Sequence, residues 1–220
     1  MTDDLPEPAS PPCHLATQGP DGPDPAQDLA GWRKAQRSRL LAARQALTVA
    51  ARQTVAAALC RHVADLIADR HPDLRGLTAS AFWPIKGEPD LRPLLADWHA
   101  AGALAALPVV ELRHAPLVFR RWTPETRMIR GDWNIPVPGP DAAAVLPRIA
   151  LAPLVGWDPA GYRLGYGGGY FDRTLAALSP RPFVIGVGLQ AARIDTIHPQ
   201  PHDIPLDAIV TEAGLQVLRG

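Results

Sequence analysis

The first long pattern along the chain is helical. Residues 29–70 are rich in alanine and leucine and contain no proline, and a His-Pro pair follows them as a stop. Asp28 is of a residue type that caps helix N-termini, and Thr48 is another, placed after a break in the pattern. We therefore predict two consecutive helices across this stretch, the second beginning after Thr48.

Shorter apolar runs separated by turns follow, and they predict buried strands at 77–83, 103–110, 117–122, 149–157, 183–189 and 207–211. Helical stretches lie among them at 91–101, with Asp90 as N-cap and Gly102 as terminator, and at 170–178. This alternation indicates an α/β fold, a three-layer single domain with a largely parallel central sheet and helices on both faces. Ligands are then expected beyond the carboxyl ends of the strands.

The amino-terminal segment, residues 1–28, has few large apolar side chains and holds seven of the 25 prolines. We interpret it as a flexible extension, with the folded domain at residues 29–220. It lacks the basic start and apolar centre of a secretory signal, and no apolar run reaches the roughly 18 residues that a membrane span needs. The two cysteines suggest neither disulfides nor zinc. We expect a cytoplasmic protein.

The composition limits the classes of function. The chain has 220 residues, of which 47% are hydrophobic and 20% charged, as in ordinary globular proteins. Its 22 basic and 22 acidic residues cancel, so no overall charge favours nucleic acid or an anionic membrane. Any anion site must be local. We expect a monomer that binds a small molecule.

The densest chemistry lies at 163–173, which reads Arg-Leu-Gly-Tyr-Gly-Gly-Gly-Tyr-Phe-Asp-Arg. Its four glycines allow the backbone to turn through positive φ or to bring its amides against a ligand. The segment runs into the helix predicted from Tyr170, whose N-terminus favours a phosphate or carboxylate. Arg163 and Arg173 offer guanidinium groups to phosphate oxygens, and Asp172 offers an oxygen to a divalent metal. A plain surface turn is the alternative.

The first predicted helix is basic, since no acidic residue stands between Asp28 and Asp65. Arg33 and Arg37 are four residues apart and share one helix face. They could close an anion site. A solvated face, or a surface for an acidic partner, is the alternative.

Two further loops carry tryptophans. After the first predicted strand, Glu88 could hydrogen-bond a polar heterocycle while Trp83 stacks on it, although an aromatic side chain at a strand end is more often core. Trp133 heads a segment stiffened by alternating prolines. It could cover a pocket or anchor its own loop, and the sequence alone favours anchoring.

The last candidate segment contains His198, His202 and Asp203. Prolines at 199 and 201 exclude the helix that would align the two histidines for zinc. Asp203 could join Asp172 as a second carboxylate that holds Mg²⁺ against nucleotide phosphates, and a turn-capping role is an equal alternative.

Taken together, these segments resemble the 5-formyltetrahydrofolate cyclo-ligase family, also called 5,10-methenyltetrahydrofolate synthetases, over about residues 30–212. The most specific piece is 161–173, Gly-Tyr-Arg-Leu-Gly-Tyr-Gly-Gly-Gly-Tyr-Phe-Asp-Arg, preceded by Leu-Ala-Pro-Leu-Val-Gly-Trp-Asp at 151–158. The basic helix and the pieces at 84–88, 107–110, 133–136 and 202–207 keep the family order. The resemblance implies an enzyme that uses ATP and Mg²⁺ to convert 5-formyltetrahydrofolate into 5,10-methenyltetrahydrofolate, ADP and phosphate.

The resemblance also implies roles for individual residues. ATP would contact Arg33, Lys34, Arg37, Arg163, Leu164, Gly165, Tyr166, Gly167, Gly168, Gly169, Tyr170 and Phe171. The folate would contact Arg37, Trp83, Glu88, Trp133, Tyr166, Gly167, Gly168, Gly169 and Tyr170. The residues implied in the chemistry are Arg37, Glu88, Arg163 and Tyr170. Asp172 and Asp203 would ligate Mg²⁺.

One position departs from the family pattern Lys-x-x-x-Arg, because Arg33 stands at the lysine position and Lys34 follows one residue later. A planar guanidinium does not reproduce the geometry of an ammonium group. Two other functions are alternatives. A Rossmann oxidoreductase is opposed by Tyr170, which stands where the fingerprint needs a glycine. A paralogue that binds folate or nucleotide without this chemistry stays open.

Overall fold

The computed structural model describes residues 24–219, so most of the predicted extension, residues 1–28, lies outside the described part. The two predicted N-terminal helices are confirmed as α1 (Leu29–Gln45) and α2 (Val49–Arg70). Asp28 accepts a hydrogen bond from the Gly31 N–H at 2.8 Å, and Thr48 accepts one from the Ala51 N–H at 3.1 Å. Both side chains therefore satisfy amides that the helix itself leaves without partners.

The remaining helices are α3 (Arg92–Ala100) and α4 (Tyr170–Ala177). The strands are, in chain order, β1 (Thr78–Ser80), β2 (Leu104–Val109), β3 (Val118–Arg121), β4 (Met128–Arg130), β5 (Pro136–Pro138), β6 (Ala144–Val145), β7 (Ile149–Pro153), β8 (Gly156–Trp157), β9 (Arg163–Leu164), β10 (Phe183–Val187), β11 (Ala208–Thr211) and β12 (Gly214–Leu218).

Within residues 24–219, eight strands form the central sheet in the order β12-β11-β10-β7-β1-β2-β3-β6. The five strands from β11 to β2 are parallel, and the edge strands β12, β3 and β6 pair in antiparallel fashion. The chain leaves β1 through α3 toward one edge, and leaves β7 through α4 toward the other. Connections therefore diverge between β1 and β7, where an open α/β sheet forms its ligand crevice.

The strands of the sheet bury alternate residues on its two faces. Ile149 and Leu151 of β7 pack with α2 and α3 in one hydrophobic cluster, whereas Ala150 and Ala152 pack with α1 and α4 in a second cluster. Because strand side chains alternate between the two faces, one strand can serve both clusters. The predicted three-layer α/β fold with a largely parallel sheet is confirmed.

Two local predictions need correction. The run 149–157 is not one strand but β7 and β8, which are separated at Leu154; there the Leu154 N–H bonds to the Val187 carbonyl at 3.1 Å. Asp90 is not the N-cap of α3, because that helix begins at Arg92 and the capping position falls on Leu91. The Asp90 carboxylate instead accepts bonds from the backbone N–H and the guanidinium of Arg92.

No helix among residues 24–219 is long and apolar enough to cross a membrane.

Candidate active site

The glycine-rich loop, residues 165–169, connects the β8–β9 hairpin to α4. Gly169 precedes the first helical residue with φ at 64°, and Gly167 has φ at 95°, a region that favours glycine. A side-chain carbon added to Gly167 would lie 3.4 Å from the Arg37 guanidinium carbon. The loop therefore needs glycine both to turn and to let α1 approach its backbone.

Arg37 joins α1 to this loop. Its Nε donates to the Gly165 carbonyl at 2.8 Å, and among the described residues no carboxylate forms an ion pair with it. Burial lowers the pKa of Arg37, the neighbouring Arg33 lowers it further, and Asp203 acts in the opposite direction. Half-buried positive charge with no acidic partner favours an anion at this position.

Arg33, one helical turn before Arg37 on α1, lies against a different segment. It donates to the carbonyls of Ile197 and His198 at 3.1 and 2.7 Å, and its Nη2 lies 2.6 Å from Asp203 Oδ2. Burial works to raise the pKa of Asp203, but the bonds from Arg33 and the Gln200 N–H outweigh it and hold that pKa below its ordinary value. Lys34, the next residue on the helix, is exposed.

At the other end of the loop, Arg163 pairs with Asp172. Arg163 Nη2 lies 2.7 Å from Asp172 Oδ2, with 7% and 16% of the two side chains exposed. The Arg163 guanidinium also lies 5.2 Å from the Phe171 ring centre. Its Nε is buried without a hydrogen-bond partner, as is the Nε of Arg173. Since buried donors are normally satisfied, these two atoms mark the loop as a place where acceptors are expected.

These contacts bear on the predicted magnesium ligands. Asp172 and Asp203 each accept hydrogen bonds from an arginine, and Asp203 also accepts the Gln200 N–H at 2.6 Å. No group of three or more His, Cys, Asp or Glu within residues 24–219 is arranged to hold a metal ion. The two carboxylates therefore do not fit a preformed magnesium site.

Glu88 lies in the loop after β1 and meets the glycine-rich loop from the other side of the crevice. Only 7% of it is exposed. Its Oε1 accepts from the Tyr166 hydroxyl at 2.7 Å, and its Oε2 accepts from the Ile85 N–H at 2.9 Å. Burial raises the pKa of Glu88, although Tyr166, Ile85, Arg44 and Lys86 each pull it down. The residues predicted for the folate and for ATP are thus in direct contact.

Arg44 is a further residue of the candidate site, and it was not among the residues predicted from the sequence. It is 4% exposed and lies near the end of α1, where it donates to the Lys86 carbonyl, the Leu154 carbonyl and the Tyr166 hydroxyl. Arg37 and Arg44 are seven residues apart, the spacing of two helical turns, and so lie on one helix face. This seven-residue spacing is the feature of the sequence that could have identified Arg44.

Asp158 is a second residue that was not predicted from the sequence to support the site. It is 1% exposed, and its carboxylate accepts from the Ala160, Tyr162 and Ile197 N–H groups at 3.0–3.1 Å. It therefore ties the turn that precedes Arg163 to the segment that contacts Arg33.

The two candidate tryptophans, Trp83 and Trp133, contact residues other than Glu88 and Tyr166. Trp83 is partly buried, and the Arg92 guanidinium lies 4.8 Å from the centre of the Trp83 ring. Trp83 also lines a groove of about 310 Å³, together with Met128, Ile129, Arg130 and Pro136. Trp133 is 67% exposed and meets the Tyr170 ring edge-on at 5.5 Å. The Tyr170 hydroxyl accepts from the His114 N–H at 3.3 Å. Trp133 and Tyr170 therefore form one aromatic pair at the end of the glycine-rich loop, where α4 begins.

Comparison with known proteins agrees with this geometry. The family model described as "5-formyltetrahydrofolate cyclo-ligase family" matches residues 30–212. The 5-formyltetrahydrofolate cyclo-ligase of Escherichia coli K12 is 32% identical over 146 residues, which cover 64% of this chain and 80% of that protein. The one from Mycolicibacterium smegmatis is 29% identical over 192 residues, which cover 83% and 95%.

Similar solved structures include two 5,10-methenyltetrahydrofolate synthetases. The Aquifex aeolicus 5,10-methenyltetrahydrofolate synthetase is 27% identical with a TM-score of 0.70, and the match covers 86% of this chain and 93% of that one. The Mycoplasma pneumoniae synthetase, at 23% identity and a TM-score of 0.65, supports the fold. The family model spans nearly the whole described chain, and the chain therefore belongs to the 5-formyltetrahydrofolate cyclo-ligase family.

Proposed function

We propose that this chain converts 5-formyltetrahydrofolate and ATP into 5,10-methenyltetrahydrofolate, ADP and phosphate in the crevice between β1 and β7. Family membership supports the activity. The observation that supports the placement is the 2.7 Å hydrogen bond from Tyr166 of the glycine-rich loop to Glu88. A loop suited to phosphates and a carboxylate suited to a heterocycle share one site there.

The reaction must turn the formyl oxygen into a leaving group. The oxygen attacks the γ-phosphorus of ATP and the bond to ADP breaks, which gives an imidate phosphate. N10 then attacks the formyl carbon and loses its proton, and the carbon–oxygen bond breaks to release phosphate. Because both steps move charge onto oxygens, the protein contributes mainly by positioning the reactants and stabilising negative charge.

The phosphate side of the proposal rests on α1 and the glycine-rich loop. Arg37 has no carboxylate partner among the described residues, and Arg163 has a buried Nε with no acceptor. With the amides before α4, they would bind the triphosphate and face the transferred group. Lys34 is exposed at the rim, where it would add positive charge.

The folate side rests on Glu88 and the aromatic groups. A buried carboxylate that already accepts two hydrogen bonds would accept further N–H groups from a pterin. Trp83 lines a groove suited to an aromatic arm, and the Trp133–Tyr170 pair would cover the bound substrate.

Mg²⁺ belongs to the proposal as the ion that accompanies ATP, and no step above depends on a metal ligand from the chain. Asp172 and Asp203 remain the carboxylates that we propose for contact with Mg²⁺. Such contact would require the guanidinium groups of Arg163 and Arg33 to leave these carboxylates and to bind phosphate instead. We also propose that the protein is a monomer and is located in the cytoplasm.

The test is a spectroscopic assay of the purified full chain. With 5-formyltetrahydrofolate, ATP and Mg²⁺, we expect methenyl absorbance to appear together with one ADP per product, and neither should form when ATP is replaced by its non-hydrolysable β,γ-imido analogue. Normal folate binding without ATP-dependent product would instead select a paralogue that binds folate without this chemistry.

A further inference from the structure

A buried positive charge lies behind the candidate site without an acidic partner in direct contact. Among the described residues, Arg44 forms no ion pair, although it is only 4% exposed. Its guanidinium donates to the Lys86 and Leu154 carbonyls, both at 3.2 Å, and to the Tyr166 hydroxyl at 2.5 Å. Burying such a group is costly unless its donors are satisfied and a negative charge lies near.

The Glu88 carboxylate is linked to Arg44 through a single hydroxyl group, that of Tyr166. Tyr166 accepts from Arg44 and donates to Glu88 Oε1 at 2.7 Å, so its phenol lies between the two charged groups. Burial raises the pKa of Tyr166, and the Glu88 charge raises it further. The phenol therefore keeps its proton for the bond to Glu88. Hydrogen bonds in such chains strengthen one another in a low-dielectric interior.

This chain of bonds joins three separate segments. Arg44 belongs to α1, Glu88 to the loop after β1, and Tyr166 to the glycine-rich loop proposed for ATP. The Lys86 carbonyl that Arg44 holds lies only two residues before Glu88, so the same guanidinium fixes the backbone of the folate-side loop. A movement of the glycine-rich loop would move the group that holds Glu88.

We propose that Arg44 is a positioning residue that acts through the Tyr166 hydroxyl to hold the Glu88 carboxylate in place for the folate. The inference rests on the proposed function and deepens it, because it makes the folate-side carboxylate depend on the conformation of the loop that binds ATP. Arg44 itself touches neither substrate. It sets the orientation of Glu88 and favours its charged form.

The charged and hydrogen-bonding groups that face Glu88 set the expected pH dependence. They are Arg44 from α1, Lys86 from its own loop and Tyr166 from the glycine-rich loop, and each lowers the pKa of Glu88 against the effect of burial. Removing Arg44 or the Tyr166 hydroxyl therefore raises that pKa. The acid limb of the kcat/KM profile for folate should move to higher pH in both variants.

Four variants of the full chain test the inference: Tyr166→Phe, Arg44→Gln, the two combined, and Arg120→Gln as the matched control. Arg120 also holds two carbonyls, those of Pro140 and Ala142, but pairs with Glu111 away from the site. We expect each single site variant to lose about tenfold in kcat/KM for folate, the scale of one hydrogen bond to a charged group. The double variant should also lose about tenfold, since both changes break one chain of bonds.

A titration that needs no activity separates this inference from the proposed function. The chain has five glutamates, so carboxyl-¹³C glutamate labelling gives a simple spectrum, in which Glu88→Gln identifies the Glu88 signal. We expect its titration midpoint to rise in Tyr166→Phe and Arg44→Gln and to stay in place in Arg120→Gln. An unmoved midpoint, or a hundredfold additive loss in the double variant, overturns the inference. A wild-type chain that forms no methenyl product overturns the proposed function instead.

Discussion

The two sides of the candidate site treat their charges differently. On the paired side, Arg33 and Arg163 contact Asp203 and Asp172 directly, at 2.6 and 2.7 Å. The unpaired side is defined by Arg37, Arg44, Tyr166 and Glu88. Here no arginine contacts a carboxylate directly, and the Tyr166 phenol lies between the buried Glu88 carboxylate and the buried Arg44 guanidinium. Direct pairs hold segments together, whereas the charges of the unpaired side either are available to ligands, as proposed for Arg37 and Glu88, or position such a group, as proposed for Arg44.

This comparison predicts opposite effects of substitution. Breaking a direct pair leaves one buried charge uncompensated, so the free energy of unfolding should fall. Removing a charge from the unpaired side should leave the fold intact and lower the activity.

The largest effect is expected for Arg163→Met. Asp172 would stay behind with its main partner removed, and the free energy of unfolding should fall by about 3–5 kcal/mol, as for other buried pairs. Urea unfolding followed by circular dichroism measures this. The double variant Arg163→Met/Asp172→Leu should recover most of that loss because no charge is left buried. A double variant as unstable as the single one would show that Arg163 stabilises the fold by packing alone.

Glu88→Gln should show the reverse pattern. We expect kcat/KM for folate to fall by about 10–100-fold, since the hydrogen bonds of a charged acceptor are lost. The free energy of unfolding at pH 7 should change by less than about 1 kcal/mol, because the cost of burying the Glu88 charge, which raises its pKa, offsets what that charge contributes beside Arg44. Steady-state kinetics and urea unfolding of the same preparation provide both readouts. A loss of stability as large as that of Arg163→Met would remove the distinction between the two sides.

The smallest effect depends on pH. The pKa of Asp203 is below its ordinary value in the folded chain, so its contribution is present above about pH 4 and is lost as the pH falls through the lower folded value. Asp203→Asn should therefore cost about 1–2 kcal/mol at pH 7. Its unfolding curve should approach that of the wild type as the pH falls toward 3.

The control for this variant is Asp73→Asn. Asp73 contacts Arg75 at a comparable 2.7 Å, but 59% of the Asp73 side chain is exposed. Water screens such a pair, and we expect no measurable change in the unfolding midpoint at any pH. An Asp203→Asn deficit that persists unchanged in acid would contradict a role based on charge.

The sequence predicted the parts of the fold and of the candidate site that follow from local chemistry. Asp28 and Thr48 act as helix caps, Gly167 and Gly169 take positive φ, and Glu88 follows a buried strand. Each depends on residues that are neighbours along the chain. Periodicity and residue type are therefore sufficient for them.

The missed features depend on contacts between distant segments. Arg44 meets Tyr166 122 positions later, and Arg33 meets Asp203 170 positions later. A sequence shows that Arg163 and Asp172 carry opposite charges, but it does not show that they face each other rather than a phosphate and a metal. Trp133 illustrates the same limit, because its partner, the Tyr170 ring, lies on another element.

The proposed reaction requires ATP and the formyl group to meet in one crevice, and an oxygen label in the formyl group can follow this meeting. With 5-formyltetrahydrofolate carrying ¹⁸O in the formyl group, one turnover should place one ¹⁸O atom in the released phosphate, as found by mass spectrometry. Transfer of the label to water, with unlabelled phosphate, would show that the γ-phosphoryl group never reaches the formyl oxygen. That result would contradict the placement of both substrates between the glycine-rich loop and Glu88.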